Sequence, residues 1–221
     1  MRGVDSQPGA VGVLSALPGE LGGWAGRGEL VSTDGGLEIR RVLEGEDVVL
    51  TCVGGVGKVA AARAAEALLR LGARRALLVV GTCGSLSRGL SPGDLVHCSL
   101  AVQADLGVVE GRETTPDVSW LEAWEEVSGG PRAEYLTSDR AVLSLWGRWR
   151  ARQGRSGLCV AEMETAAAGS CARGWGVPWA ALRAVTDRAG WGSSQAFRKR
   201  YPVEAGRAAD TVARLLDRMR A

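Results

Sequence analysis

Ala76-Leu77-Leu78-Val79-Val80 is a continuous apolar run that leads straight into Gly81-Thr82-Cys83-Gly84. Such a run lacks the apolar–polar alternation of a half-exposed strand and reads as a strand buried on both faces. A strand of that kind needs helices above and below it. The chain supplies them by alternating short apolar strands with helical stretches, the pattern of an α/β sheet. Upstream, Val11–Leu14 reads as a strand. Glu38–Val42 and Val48–Val53 read as a pair joined by the turn Glu44–Asp47. The glycines Gly54-Gly55-Val56-Gly57 then precede an Ala/Leu-rich helix over Lys58–Leu71. Downstream, strands are expected at Asp94–Val102, Gly157–Ala161 and Trp179–Val185. A helix is expected over Met163–Arg173, stopped by Gly174 and Gly176. Val203–Met219 reads as one amphipathic helix with Ala205, Ala208, Ala209, Val212, Leu215, Leu216 and Met219 on its apolar face. Leu106–Trp149 carries mixed signals.

With 221 residues, 46% apolar and 24% charged, the chain has ordinary globular composition. One domain over residues 11–221, with a disordered lead-in at 1–10, is the simplest organisation. A net charge of +2 implies no nucleic-acid field. No apolar run is long enough to cross a membrane, and Met1–Ala10, without a charged start followed by an apolar core, does not read as a signal peptide. Cys52, Cys83, Cys98, Cys159 and Cys171 have no paired spacing and sit in or beside apolar stretches, which points to free thiols in a reducing cytosol. A single histidine, His97, makes a His/Cys metal site an unfavourable reading, and nothing in the sequence calls for a cofactor.

Ligands of open α/β sheets bind beyond the carboxyl ends of strands. Thr82 stands at such an end, where its hydroxyl can hold a phosphate or a water; a tight strand exit is an equal reading of the motif alone. Glu162-Met163-Glu164 follows a strand and opens a helix, where acids usually complement the helix dipole. Asp187 ends a buried strand, where apolar walls can raise a carboxyl pKa and make it a proton donor; it is equally a helix-capping residue. Glu20 follows the first strand. Together these acids outline one carboxylate-lined pocket.

The ordered set is more specific than its parts. It runs Val11-Gly12-Val13-Leu14-Ser15-Ala16 with Glu20, Gly55-Val56-Gly57-Lys58, Gly81-Thr82-Cys83-Gly84-Ser85, Pro92-Gly93-Asp94, Ala161-Glu162-Met163-Glu164-Thr165-Ala166 and Arg183-Ala184-Val185-Thr186-Asp187. In this order it closely resembles the methylthioadenosine/S-adenosylhomocysteine nucleosidases of the nucleoside phosphorylase superfamily. The resemblance implies a three-layer α/β/α sandwich around a mixed, partly barrel-like sheet, acting as a homodimer on a small-molecule nucleoside. It implies Asp187 as general acid toward the purine, Glu164 on the ribose hydroxyls and Glu20 on the attacking water. Thr82, Gly84, Val142, Met163, Glu162 and Thr186 would complete the substrate site.

Two departures stand out. In Thr137-Ser138-Asp139-Arg140-Ala141-Val142, Ala141 occupies the place of the family's base-stacking aromatic, leaving either Trp146, Trp149 or Trp191 as substitutes or a base site without stacking. The stretch Gln103-Ala104-Asp105-Leu106-Gly107 lacks the family's aromatics and is more similar to the futalosine hydrolases, although those usually carry asparagine at the position of Asp187. A phosphorylase is a further alternative, but the arginine of its phosphate site would stand at Val79, and its relatives lack Glu20. A non-catalytic nucleoside-binding protein is the alternative from another class, against which Glu20, Glu164 and Asp187 argue.

Overall fold

The computed structural model describes residues 9–107 and 110–221. Most of the expected lead-in, residues 1–8, lies outside them. Its end is tied down: the Ala10 amide donates to the Gly72 carbonyl at 3.0 Å, and the Arg75 amide donates to the Ala10 carbonyl at 3.1 Å.

In chain order the elements are β1 (Val11–Ser15), β2 (Glu29–Asp34), β3 (Leu37–Glu44), β4 (Asp47–Val53), α1 (Lys58–Arg70), β5 (Ala76–Ser85), β6 (Leu95–Gln103), β7 (Glu113–Thr114) and α2 (Val118–Ser128). There follow β8 (Arg132–Thr137), α3 (Leu145–Ala151), β9 (Cys159–Glu162), α4 (Thr165–Gly174), β10 (Trp179–Asp187), α5 (Ser193–Glu204) and α6 (Val212–Arg220). All strands join one mixed sheet, in the order β10-β6-β8-β9-β5-β1-β4-β3-β2 with β7 paired to β6. β5 also pairs with β10, so the circuit β5-β10-β6-β8-β9 closes on itself. This is the partly barrel-like sheet that the resemblance implies.

β5 is the hinge of that closure. Its first half pairs in parallel with β1, β10 pairs with it in parallel from Leu77 to Gly84, and Gly84 and Ser85 pair with Ala161 and Val160 of β9. The Gly81–Gly84 segment is therefore strand, and not the tight strand exit that the glycines equally allowed. Side chains alternate across the strand. Leu77 and Val79 pack with Ala64 and Leu68 of α1 and with Ala168 and Ala172 of α4. Leu78 and Val80 pack with Trp120 and Trp124 of α2 and with Leu215 and Leu216 of α6. Helix, sheet and helix thus form three layers.

The expected single helix Val203–Met219 is broken. α5 ends at Glu204, a short 3-10 turn covers Ala209–Thr211, and α6 begins at Val212. The cause is a close crossing: a Cβ on Gly206 would lie 2.7 Å from Gly22 Cα, and the Gly23 amide donates to Asp210 at 2.8 Å. The apolar face survives the break, because Ala205, Ala208, Ala209, Val212, Leu215 and Leu216 are all buried. Cys52, Cys83, Cys98 and Cys159 are buried free thiols, and Cys171 is half-buried. Among the described residues no helix is long and apolar enough to cross a membrane.

Candidate active site

The closed part of the sheet brings Thr82, Glu162 and Asp187 to one cavity of about 430 Å³. All nine residues singled out in the sequence line it: Glu20, Thr82, Gly84, Val142, Glu162, Met163, Glu164, Thr186 and Asp187.

Glu20 sits on a 3-10 turn, Pro18–Trp24, directly after β1. One carboxylate oxygen accepts from the amides of Ala16 (3.2 Å) and Leu17 (3.0 Å). The other accepts from the amide (2.9 Å) and the hydroxyl (2.7 Å) of Thr82. Four donors fill the acceptor sites of one carboxylate and lock its orientation. The approach needs a glycine before Thr82, since a Cβ on Gly81 would lie 3.1 Å from Glu20 Cδ and 3.0 Å from Arg183 Nη1.

Arg183 is the residue that the sequence reading passed over as part of a motif. It is 2% exposed. Its Nη1 donates to the Thr82 carbonyl at 2.8 Å, and its Nη2 lies 2.8 Å from Glu162 and 3.0 Å from Glu164. Burial opposes the guanidinium charge, and Glu162, Glu164 and Glu20 outweigh it, so its pKa is raised. The available signal was an arginine inside an otherwise apolar strand, Trp179–Val185, which demands buried partners.

Glu162 lines the cavity, but its carboxylate is fully engaged. Besides Arg183 it accepts from the amides of Glu164 (2.9 Å) and Thr165 (2.7 Å), from the Thr165 hydroxyl (2.8 Å) and from the Thr137 hydroxyl. It caps the start of α4 and anchors Arg183. Glu164 is freer. It accepts from the Gly57 amide at 3.0 Å, which is where the glycine loop after β4 meets the site. Burial raises the Glu164 pKa, and Arg183 works against that rise.

Asp187 stands apart from these charges. Its Oδ2 accepts from the Thr186 hydroxyl at 2.8 Å. Burial raises its pKa, offset only by that hydrogen bond. A Cβ on Gly84 would come within 3.1 Å of Asp187 Oδ1, so the glycine makes room for the carboxyl. One acid beside a buried cation and another without one is the arrangement that separates carboxylate roles within a single site.

The opposite wall comes from the loop after β8 and from α5, with Arg140, Ala141, Val142, Ser193, Phe197 and Arg198. Lys58 ties that loop to the segment after β6, lying 2.6 Å from Asp105 and 3.6 Å from Asp139. The expected aromatic substitutes do not line the cavity. Trp146 and Trp149 stack on each other with centroids 4.9 Å apart, and Trp191 is 92% exposed. The aromatic in the wall is Phe197. Nothing in the sequence marked it, because it stands in the charged stretch Phe197-Arg198-Lys199-Arg200. Val79 is buried in the core, and Arg27 is paired with Glu44 at 3.0 Å. Among the described residues no group of three or more His, Cys, Asp or Glu side chains is placed to hold a metal ion.

A family model described as the phosphorylase superfamily matches residues 10–128 and 127–220. The chain belongs to the phosphorylase superfamily. Within it, a curated relative is the 5′-methylthioadenosine/S-adenosylhomocysteine nucleosidase of Haemophilus influenzae (strain PittEE), 26% identical over 204 residues, covering 80% of this chain and 84% of that one. The corresponding nucleosidase of Helicobacter pylori, solved with butyl-thio-DADMe-Immucillin-A, superposes with a TM-score of 0.86 at 18% identity, over 95% of this chain and 98% of that one. The futalosine hydrolase of Helicobacter pylori strain 26695 superposes with a TM-score of 0.88 at 20% identity, with the same coverage. These superpositions show the superfamily fold.

Proposed function

We propose that the chain hydrolyses the N-glycosidic bond of a 5′-modified adenine nucleoside, releasing adenine and the free 5′-modified ribose. The observation that carries this is the pairing of Glu20 with Thr82 at the position where a phosphorylase needs positive charge. Asp187 donates its proton to N7 of the purine, and the C1′–N9 electron pair leaves with the base. Glu164 holds the ribose hydroxyls, and its charge faces the oxocarbenium-like sugar. Water attacks C1′ and passes its proton toward Glu20, with the Thr82 hydroxyl between them. Arg183 touches none of the reacting atoms in this scheme; it positions Glu164 and Thr82. At the rim, Arg140 and Arg198 have no carboxylate within 4.0 Å among the described residues. They suit a 5′ substituent that ends in a carboxylate, as the homocysteine of S-adenosylhomocysteine does.

Beside Glu20 phosphate is disfavoured on charge, since Arg183 is already engaged by Glu162, Glu164 and the Thr82 carbonyl. A dianion beside an ionised Glu20 meets a repulsion of roughly 4 kcal/mol per charge pair at about 4 Å and an effective dielectric near 20. The product should therefore be free ribose at a rate insensitive to added phosphate. Ribose 1-phosphate as main product, with saturable phosphate dependence, would establish a phosphorylase instead. Glu20→Gln should slow this hydrolysis. It should also lower stability by roughly 1–3 kcal/mol, because the new amide must face either Thr82 or the Ala16 and Leu17 amides, all of them donors.

The same reading takes residues 11–221 as one nucleosidase domain, working as a homodimer in the reducing cytosol. Leu143 and Trp146, both exposed beside the loop that lines the cavity, support a partner at that face. Solution sizing at micromolar concentration should give a dimer, and a monomer would refute it.

A further inference from the structure

A second cavity of about 1120 Å³ lies outside the site just described. It is bounded by the segment after β5, by α3 with the loop leading to β9, and by Arg188. Among the described residues its walls carry Arg88, Arg148, Arg152, Arg155 and Arg188, and no aspartate or glutamate. Arg155 is neutralised by Glu113 at 2.8 Å and Glu134 at 2.6 Å. Among the described residues, no carboxylate lies within 4.0 Å of the other four guanidiniums. Arg152 Nη2 donates to the Gly157 carbonyl at 3.3 Å, a neutral partner that leaves its charge unbalanced. Arg148 is half-buried, and its pKa is lowered by burial and then by Arg188, Arg152 and Arg88.

Crowded like charges destabilise the fold that holds them, and a net charge of only +2 means that the crowding is local to this concavity. An anion relieves it. Guanidinium forks match phosphate oxygens in geometry as well as charge. Four of them call for three or four negative charges, more than one phosphate carries. Trp149 lines the same cavity and is held by its stack on Trp146, which offers a flat surface for a ring. A pocket, rather than a basic stripe along the surface, favours a small ligand over a nucleic-acid strand.

We propose that this cavity is a second ligand site, separate from the catalytic one, that binds a nucleoside di- or triphosphate. The site adjoins the catalytic cavity without sharing its residues. Arg188 follows Asp187, and Leu145 lies two positions after Leu143 of the catalytic wall. The two segments run close together: a Cβ on Gly190 would lie 4.0 Å from the Ser144 carbonyl.

Titration calorimetry tests this at about 0.15 M salt, with saturating adenine to block the catalytic cavity. ATP and ADP should bind at least tenfold more tightly than pyrophosphate or inorganic phosphate, and adenosine should not bind. The double variant Arg148→Gln/Arg152→Gln should lose at least tenfold in ATP affinity. It should melt no lower than the parent, because repulsion is relieved, and keep the parent's nucleoside hydrolysis. Absence of ATP binding, or ATP affinity unchanged in the double variant, overturns the proposal. So does pyrophosphate binding as tightly as ATP. A single-stranded oligonucleotide binding more tightly than ATP overturns it in favour of a nucleic-acid surface.

Discussion

Asp187→Asn should cut turnover of a 5′-modified adenosine by roughly 10²-fold or more while leaving the fold intact. The substitution is nearly isosteric. The asparagine oxygen can still accept from the Thr186 hydroxyl that now binds Oδ2 at 2.8 Å. What is lost is the transferable proton. The pH dependence carries the sharper signature. Burial raises the Asp187 pKa, so the carboxyl keeps its proton above the ordinary carboxylate range. The parent's kcat/KM should fall as pH rises through that raised value, and the variant should lack this limb. Stability follows the same sign. An acid whose folded pKa is raised favours the fold while protonated, and that contribution disappears as pH rises through the folded pKa. The variant should therefore gain on the parent in thermal melts as pH rises from the ordinary carboxylate range to that raised value, and hold the gain above it. Turnover close to the parent's on an adenine nucleoside would remove Asp187 from the role of general acid.

The sheet was legible where burial on both faces imposes a continuous apolar run, as in Ala76–Val80 and Trp179–Val185. It was not legible in β2, whose sequence Glu-Leu-Val-Ser-Thr-Asp has neither an apolar run nor clean alternation and pairs only with β3 at the sheet edge. Nor was it legible in Leu106–Trp149, where α2 is recognisable only once Asp117 is seen capping it through the Trp120 amide at 3.1 Å. The broken final helix depends on Gly22 crossing at Gly206, a contact between residues far apart in the chain. The site divides in the same way. Glu20, Glu164 and Asp187 were readable because each follows a strand. Phe197 and the exposed Arg198 reach the cavity from α5, a helix of mixed residues with no marked apolar face in sequence. Glu162 was visible as an acid, but its engagement with α4 and Arg183 exists only in three dimensions.

Arg183→Met should be the most destabilising single change in the site, by about 3–5 kcal/mol, which for a chain of this size is a fall in Tm on the order of 10 °C. The reason is asymmetry. Methionine fills much of the volume, but Glu162 and Glu164 lose their cation inside the protein and the Thr82 carbonyl loses its donor. Removing one member of a buried ion pair leaves the other's desolvation uncompensated. Arg183→Lys should fall between the two, since it keeps the charge but cannot reach Thr82 and both glutamates with one ammonium. If methionine proves too damaging to purify, the lysine variant still orders the series. A purely structural role would lower stability and leave the pH profile alone. A positioning role moves the profile, because Arg183 holds down the Glu164 pKa against burial. Without the guanidinium, Glu164 takes up its proton at higher pH, so the acid limb of kcat should shift upward in Arg183→Met. The stability deficit should have the matching dependence. Protonating Glu164 as pH falls removes its uncompensated charge, so the gap in Tm between parent and variant should narrow toward acid pH. A gap that stays constant across that range, or melting like the parent's, would show that Arg183 does not compensate Glu162 and Glu164.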